Sequence, residues 1–92
     1  MKDMKYRDNL RFSAQYYGLD AQLEKALEEL DELREAIECR QFGGEHGVFE
    51  EMADVINMIE QISYLLNARE TVQQIAAQKM ERTVARIRRR QE

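Results

Sequence analysis

Two clusters of acidic residues have the types and spacing that could do chemistry in this sequence. The first is Glu28-Glu29-Leu30-Asp31-Glu32, and the second, eighteen residues further on, is Glu51-Met52-Ala53-Asp54. Each cluster has two carboxylates three residues apart, a spacing that on a helix points both side chains the same way, one turn above the other. Four converging carboxylates without a histidine suit a hard divalent cation such as Mg²⁺. The first hypothesis is therefore a metal site.

Helical direction distinguishes the adjacent acids of the second cluster. At about 100° per residue, Glu51 falls inside the apolar arc of its helix, between the directions of Met58 and Ile62, whereas Glu50 points well outside that arc. Asp54 lies at the edge of the arc. Because an unpaired charge on a buried face is very costly, Glu51 needs a partner. A bound cation would supply one.

Direction is less decisive for the first cluster. Glu29 lies beside a leucine stripe, close to Leu33, while Glu28 points almost opposite to the stripe. Glu32 lies further round the helix. The geometry favours an inward Glu29 over Glu28, but it does not by itself bury Glu32.

The elements that must position these acids are helices. The 92 residues contain no proline and only four glycines, a composition that predicts a single all-α domain over residues 1–92. Gly18 can end the first helix, Asp20 can cap the second, and a glycine-rich loop separates the second from the third. The predicted helices span about residues 3–17, 20–40, 48–67 and 70–90.

Both long central helices carry apolar stripes that so small a chain cannot fully cover. We therefore expect two subunits to pair and complete a four-helix bundle, as a homodimer or a homotetramer. The stripes comprise Leu23, Ala26, Leu27, Leu30, Leu33 and Ile37 in the second helix, and Val48, Met52, Val55, Ile56, Ile59, Ile62 and Leu66 in the third.

Charge and cysteine content indicate which kinds of partner the protein can bind and in which cellular compartment it is expected. Residues 1–68 have a formal net charge of −8 and residues 69–92 of +4, and an acidic body argues against nucleic-acid binding. The single cysteine, Cys39, cannot form an internal disulfide, and the charged first residues do not form a signal peptide. No apolar stretch approaches the roughly 20 residues of a membrane span. We expect a cytoplasmic protein without a membrane segment.

The fourth helix offers basic residues opposite in charge to the clusters. Val72, Lys79 and Arg86 follow one another at seven-residue intervals and share a face, with Ile75 and Arg82 beside it. Basic groups facing a carboxylate-bound metal are what a polyphosphate would need.

Three segments resemble one known family. The sequence is similar to the MazG-like nucleoside triphosphate pyrophosphohydrolases, the all-α NTP pyrophosphatases. The similarity lies in the motif Glu-Glu-x-x-Glu followed by Glu-x-x-Asp, and in residues 17–23, 50–55 and 79–82. The resemblance covers about residues 17–87, and it is nearest to the short single-domain members common in phages and prophages.

The resemblance implies a reaction and a role for each residue. It implies hydrolysis of an NTP or dNTP to the monophosphate and pyrophosphate, with Mg²⁺, or Mn²⁺ in its place, as the cofactor. By similarity, Lys79 and Arg82 contact the phosphates, although the match at Arg82 is looser because members often have a different residue there. Glu28 or Glu50 would act as the base for the attacking water or as an outer partner. The implied metal ligands are Glu29, Glu32, Glu51 and Asp54.

Other interpretations compete with this one. The acids could be a solvated helix surface with intrahelical pairs such as Lys25 with Glu29, and the chain could be a non-catalytic helical oligomerisation or regulatory module. A di-iron bundle is disfavoured because the only histidine, His46, lies outside both clusters. His46 is expected to be exposed, and Cys39 to be inert.

Overall fold

The computed structural model describes residues 2–92, with side chains from Met4 onward, and in that range the protein contains four α-helices and no strand. This confirms the all-α prediction and the number of helices. The helices are α1 (Lys2–Tyr17), α2 (Leu19–Glu38), α3 (Val48–Leu65) and α4 (Arg69–Gln91).

The central helices end two residues earlier than predicted, because each is followed by a residue in the left-handed region. Arg40 has a φ of 54° and Asn67 a φ of 52°. After α3, the Ala68 N–H donates to the Ser63 carbonyl at 2.8 Å, and the Asn67 N–H to the Tyr64 carbonyl at 3.0 Å. This pattern satisfies the last carbonyls of a helix and turns the chain away from it.

The start of α2 differs from the prediction. Gly18 has a positive φ of 85° and itself occupies the N-cap position of α2. Asp20 lies inside the first turn of α2, and no side chain makes a capping hydrogen bond there. Asp20 was therefore wrongly predicted as the cap. Its negative charge can still interact favourably with the amino end of the helix dipole.

Helices α2 and α3 form an antiparallel pair, and α1 lies alongside α3. In the pair, the Gln22 side chain near the start of α2 donates to Gln61 near the end of α3 at 2.5 Å. Helix α1 is tied to α3 by Tyr6, whose hydroxyl donates to Asn57 at 2.5 Å, and by Gln15, whose amide donates to the Tyr64 hydroxyl at 2.7 Å.

The apolar core of one chain is small. The inward line of α2 consists of Gln22, Glu29 and Ala36, seven residues apart, so two of its three members are polar. Buried polar groups need partners, which Gln22 and Gln61 provide for each other. From Met4 onward, the buried apolar side chains are those of Leu10, Ala14, Ala36, Val48 and Met58.

Much of each predicted apolar stripe stays exposed. Leu27 is 66 % and Ile56 54 % exposed, and α4 has no buried residue. Helix α4 packs only against α3, and the radius of gyration is 16.0 Å, against about 12 Å for a compact chain of this length. The protein is elongated because α4 extends away from the other helices.

Three aromatic side chains of α1 lie outside the core of the chain. Tyr16, Tyr17 and Phe12 are all more than half exposed. Among residues 2–92, no helix combines the length and the apolar character needed to cross a bilayer.

Candidate metal centre

The antiparallel pairing of α2 and α3 brings three of the predicted ligands together. One carboxylate oxygen from each of Glu29, Glu51 and Asp54 lies within 4.8 Å of the other two. Glu29 is 5 % and Glu51 3 % exposed, whereas Asp54 is exposed to solvent. The inward directions predicted for Glu29 and Glu51 are therefore confirmed, and the roles of these residues as ligands stay predictions.

Each of the two buried carboxylates has one oxygen without a partner. Among the described residues, the Oε2 atoms of Glu29 and Glu51 are buried and accept no hydrogen bond. The other oxygens lie near basic side chains: Lys25 Nζ is 3.3 Å from Glu29 Oε1, and His46 Nδ1 is 3.8 Å from Glu51 Oε1. Each carboxylate therefore has one oxygen near a basic group and one oxygen without a partner. This arrangement lowers the stability of the folded protein unless a cation binds.

Burial and mutual repulsion change the ionisation of the cluster. Burial raises the pKa of Glu29, and the adjacent Asp54 raises it further, while Lys25 opposes both effects. Burial also raises the pKa of Glu51, and the nearby Glu32 adds to this effect. The hydrogen bond to Glu29 raises the pKa of Lys25. Glu29 and Glu51 are therefore protonated more readily than free glutamates, and their ionised forms are favoured only when a cation is added.

Glu32, the fourth predicted ligand, lies at the open side of the cluster. It lines a cavity of about 220 Å³ that also reaches the buried Glu51 and the exposed His46. Glu32 is exposed, and its negative charge helps to raise the pKa of Glu51. The cavity therefore connects the buried carboxylate of Glu51 with solvent.

The loop between α2 and α3 forms one wall of this cavity. The Val48 N–H donates to the Gln41 carbonyl at 2.7 Å, which closes the loop on itself. A Cβ on Gly47 would lie 2.5 Å from the Gly43 carbonyl oxygen, closer than real contacts allow, so this position needs glycine. The tight closure holds His46 beside Glu51.

The donor set fits a small hard cation. Around an octahedral Mg²⁺ with Mg–O distances of about 2.1 Å, neighbouring and opposite ligand oxygens are about 3.0 to 4.2 Å apart. The three oxygens within 4.8 Å need only small side-chain adjustments to reach that spacing. The donors are all carboxylate oxygens, and the two orphaned Oε2 atoms supply lone pairs that nothing else in residues 2–92 uses. Mg²⁺ and Mn²⁺ prefer this chemistry.

The other predicted site residues are not assembled with the cluster. Glu28 and Glu50 are exposed, each next in sequence to a buried acid. Lys79 and Arg82 are exposed on α4, which does not pack against α2. The basic groups that act on the two buried acids are instead Lys25 and His46.

Sequence reasoning found one of these basic neighbours and missed the other. The spacing of Lys25 and Glu29 predicted their pair, although as a surface pair rather than one with a buried acid. His46 was correctly expected to be exposed, but its position beside Glu51 was missed. Only the loop closure brings it there, and no spacing rule relates His46 to an acid five residues later.

Comparisons with known proteins add no relative. No protein-family model matches the chain, and no curated protein or solved structure matches it. The class that the structure itself defines is an all-α protein with an acidic cluster between two antiparallel helices.

The raised pKa values predict how the metal-free protein responds to pH. Because the folded state holds protons on Glu29 and Glu51 above the ordinary value of 4.5, it binds more protons than the unfolded chain in that range. Stability contributed by these groups is therefore fully present below the ordinary pKa of 4.5 and is lost as pH rises through their folded pKa values. Thermal melts in EDTA between about pH 4.5 and 8 should show a shallower decline for Glu51→Gln than for the wild type.

The test compares the pH dependence of melting in the wild type and in Glu51→Gln, because other carboxylates also titrate and affect both curves. Glu24→Gln, an exposed position on α2, serves as the control and should follow the wild-type curve. Parallel curves for the wild type and Glu51→Gln would contradict the raised pKa of Glu51.

Proposed function

We propose that this protein is a Mg²⁺-dependent nucleoside triphosphate pyrophosphohydrolase, which converts an NTP or a dNTP to the monophosphate and pyrophosphate. One observation carries the proposal: Glu29 and Glu51 are buried, converge with Asp54, and each retain an unpartnered oxygen. Such an arrangement is costly unless a cation completes it. The resemblance of both acidic motifs to the MazG-like family supplies the reaction.

In this proposal Glu29, Glu32, Glu51 and Asp54 hold the metal, with Glu32 at the solvent side of the cavity. A bound Mg²⁺ would supply neutralisation of phosphate oxygens and a lower pKa for a bound water. By the resemblance, Glu28 or Glu50, each adjacent in sequence to a buried acid, would act as the base for the attacking water or as an outer partner. The burial of Glu29 and Glu51 keeps the ligand oxygens in place.

Lys79 and Arg82 are proposed to stabilise the leaving pyrophosphate. Within one chain α4 packs against α3 alone, and neither residue acts on the buried acids. We therefore propose that the basic face of α4 reaches the acidic cluster of a second copy. The site would then lie at a subunit interface of a dimer or a dimer of dimers.

The exposed apolar stripes support this assembly. Leu27 and Leu30 on α2, and Ile56 and Ile59 on α3, are each at least half exposed. Contiguous exposed apolar surface of this kind marks an interaction site. A second subunit covering these side chains would complete the four-helix bundle.

Assembly is tested by light scattering coupled to size exclusion at micromolar concentration. We expect the mass of a dimer or a tetramer, and we expect Ile59→Glu to shift the mass toward the monomer because it places a charge in the covered surface. Ala21→Glu, exposed on α2 and on the same helix face as Glu28, away from the leucine stripe, is the control for added charge. A stable monomer with full activity would contradict both the bundle and the interface site.

The same apolar stripes also support a second candidate, a non-catalytic helical oligomerisation or regulatory module. That function requires the exposed leucines and isoleucines but not the buried acids. It predicts an oligomer without turnover.

The deciding experiment is a panel of canonical and damaged NTPs and dNTPs, incubated with Mg²⁺ and scored for pyrophosphate release. We expect at least one substrate to release pyrophosphate with a matching monophosphate, and EDTA to stop the reaction. Glu51→Gln purified in parallel controls for a contaminating hydrolase. Absence of turnover across the panel by an oligomeric, folded protein would favour the non-catalytic module.

A further inference from the structure

A second polar cavity, of about 520 Å³, lies where the middle of α1 meets the turn between α3 and α4. It is distinct from the acidic cluster, because its α3 residues, Ser63 and Tyr64, lie at the opposite end of that helix from Glu51. The lining residues are Arg7, Arg11, Ser63, Tyr64, Asn67, Arg69, Glu70 and Thr71. Three arginines and one glutamate give this lining a net charge of +2 in a chain whose total charge is −4.

The arginines are only partly neutralised by nearby acids. Arg11 is 3.8 Å from Asp8 in an exposed pair, and Arg69 is 3.7 Å from Glu60. Each pair involves a single contact longer than 3.5 Å, which leaves other guanidinium N–H groups free for another acceptor. The Arg11 guanidinium carbon also lies 5.9 Å from the centre of the Tyr64 ring, which favours a position above that ring.

The start of α4 adds backbone donors to the same cavity. Ala68 precedes the helix and has no side chain that could cap it. The first backbone hydrogen bond of the helix is donated by Val72, so the N–H groups of Arg69, Glu70 and Thr71 have no helical acceptor. The amino end of a helix attracts anions through these donors and its dipole. Glu70 can compete for this position with its own carboxylate.

A hydroxyl in the wall of the cavity adds one neutral donor. Ser63 lines the cavity, and the residue as a whole is 5 % exposed. A serine hydroxyl donates one hydrogen bond, which an anion in the cavity would accept.

We propose that this cavity binds a dianionic phosphoryl group, either free phosphate or the phosphate end of a larger molecule. Arginine forks match the geometry of phosphate oxygens, and the lining has three arginines against one glutamate. The site goes beyond the proposed hydrolysis, since it uses none of the carboxylates of the acidic cluster.

The test is calorimetric titration of the full chain in EDTA and low salt with inorganic phosphate, pyrophosphate and a nucleoside monophosphate in separate arms. We expect saturable binding of at least one, weakened at least about tenfold by Arg7→Gln and by Arg11→Gln, since a charge-assisted hydrogen bond is worth about that factor. Tighter binding of the monophosphate would identify a nucleotide end, and equal binding a free anion.

Matched variants test whether binding is specific to this cavity. Arg88→Gln removes the same charge from the exposed end of α4 and should bind phosphate as the wild type does. Glu51→Gln should also bind normally, which separates this site from the acidic cluster. Melting curves confirm that each variant is folded. The proposal is overturned if the wild type shows no saturable binding, if the Arg7 and Arg11 variants bind normally, or if Arg88→Gln or Glu51→Gln loses as much affinity as they do.

Discussion

Magnesium-dependent hydrolysis is expected to fall by at least about a hundredfold in Glu51→Gln, the scale of losing a strong catalytic electrostatic contact. Glutamine keeps the size of the side chain and removes its charge. Glu51 is 3 % exposed and has an unpartnered Oε2, so no other described group stands in for the lost ligand. Initial rates of pyrophosphate release at saturating Mg²⁺ measure the effect.

The same variant should melt at a higher temperature than the wild type when both are in EDTA. The substitution removes a buried carboxylate that is repelled by Glu32 and Asp54. Adding Mg²⁺ should stabilise the wild type and leave the variant unchanged, because a ligand stabilises only the folded state that binds it. This opposite behaviour separates loss of a metal ligand from loss of the fold.

Glu24→Gln is the matched control for both measurements, since Glu24 is exposed on α2 and outside the cluster. It should retain wild-type rates and magnesium stabilisation. A folded Glu51→Gln variant with normal turnover would remove Glu51 from the site and with it the proposed centre.

Metal binding is expected to be abolished by Glu29→Gln and only slightly weakened by Glu28→Gln. The two residues are adjacent in sequence, but Glu29 is 5 % exposed within the cluster and Glu28 is exposed to solvent. A neutral amide at position 29 removes a ligand oxygen, whereas a distant exposed charge acts only through screened attraction. Titration of Mg²⁺ or Mn²⁺ into each variant by calorimetry measures the difference.

Lys25 provides a further test of whether Glu29 binds the metal. It lies 3.3 Å from Glu29 and would lose its partner in Glu29→Gln. Lys25→Gln alone should therefore bind the metal at least as tightly as the wild type, because it removes a competing cation. Equal losses of affinity in Glu28→Gln and Glu29→Gln would show that helical direction does not select the ligand.

The sequence by itself determined the helices and the inward acids. Both depend on local periodicity, which relates residues three, four and seven apart on the same helix. For this reason the sequence alone predicted that Glu51 points in nearly the same direction as Met58. Because Met58 lies on the apolar face of its helix, the burial of Glu51 could be predicted too. The same periodicity placed Leu27 and Ile56 on apolar stripes but could not show which part of each stripe a neighbour covers.

The tertiary structure alone decided which residues from different helices meet. Gln22 pairs with Gln61, and His46 lies beside Glu51, because of how α2 and α3 pack and how the loop between them closes. The arginine-lined cavity likewise combines α1 with the start of α4, more than fifty residues away. Local periodicity carries no information about such pairs, since the packing of whole helix faces and the ends of helices set them.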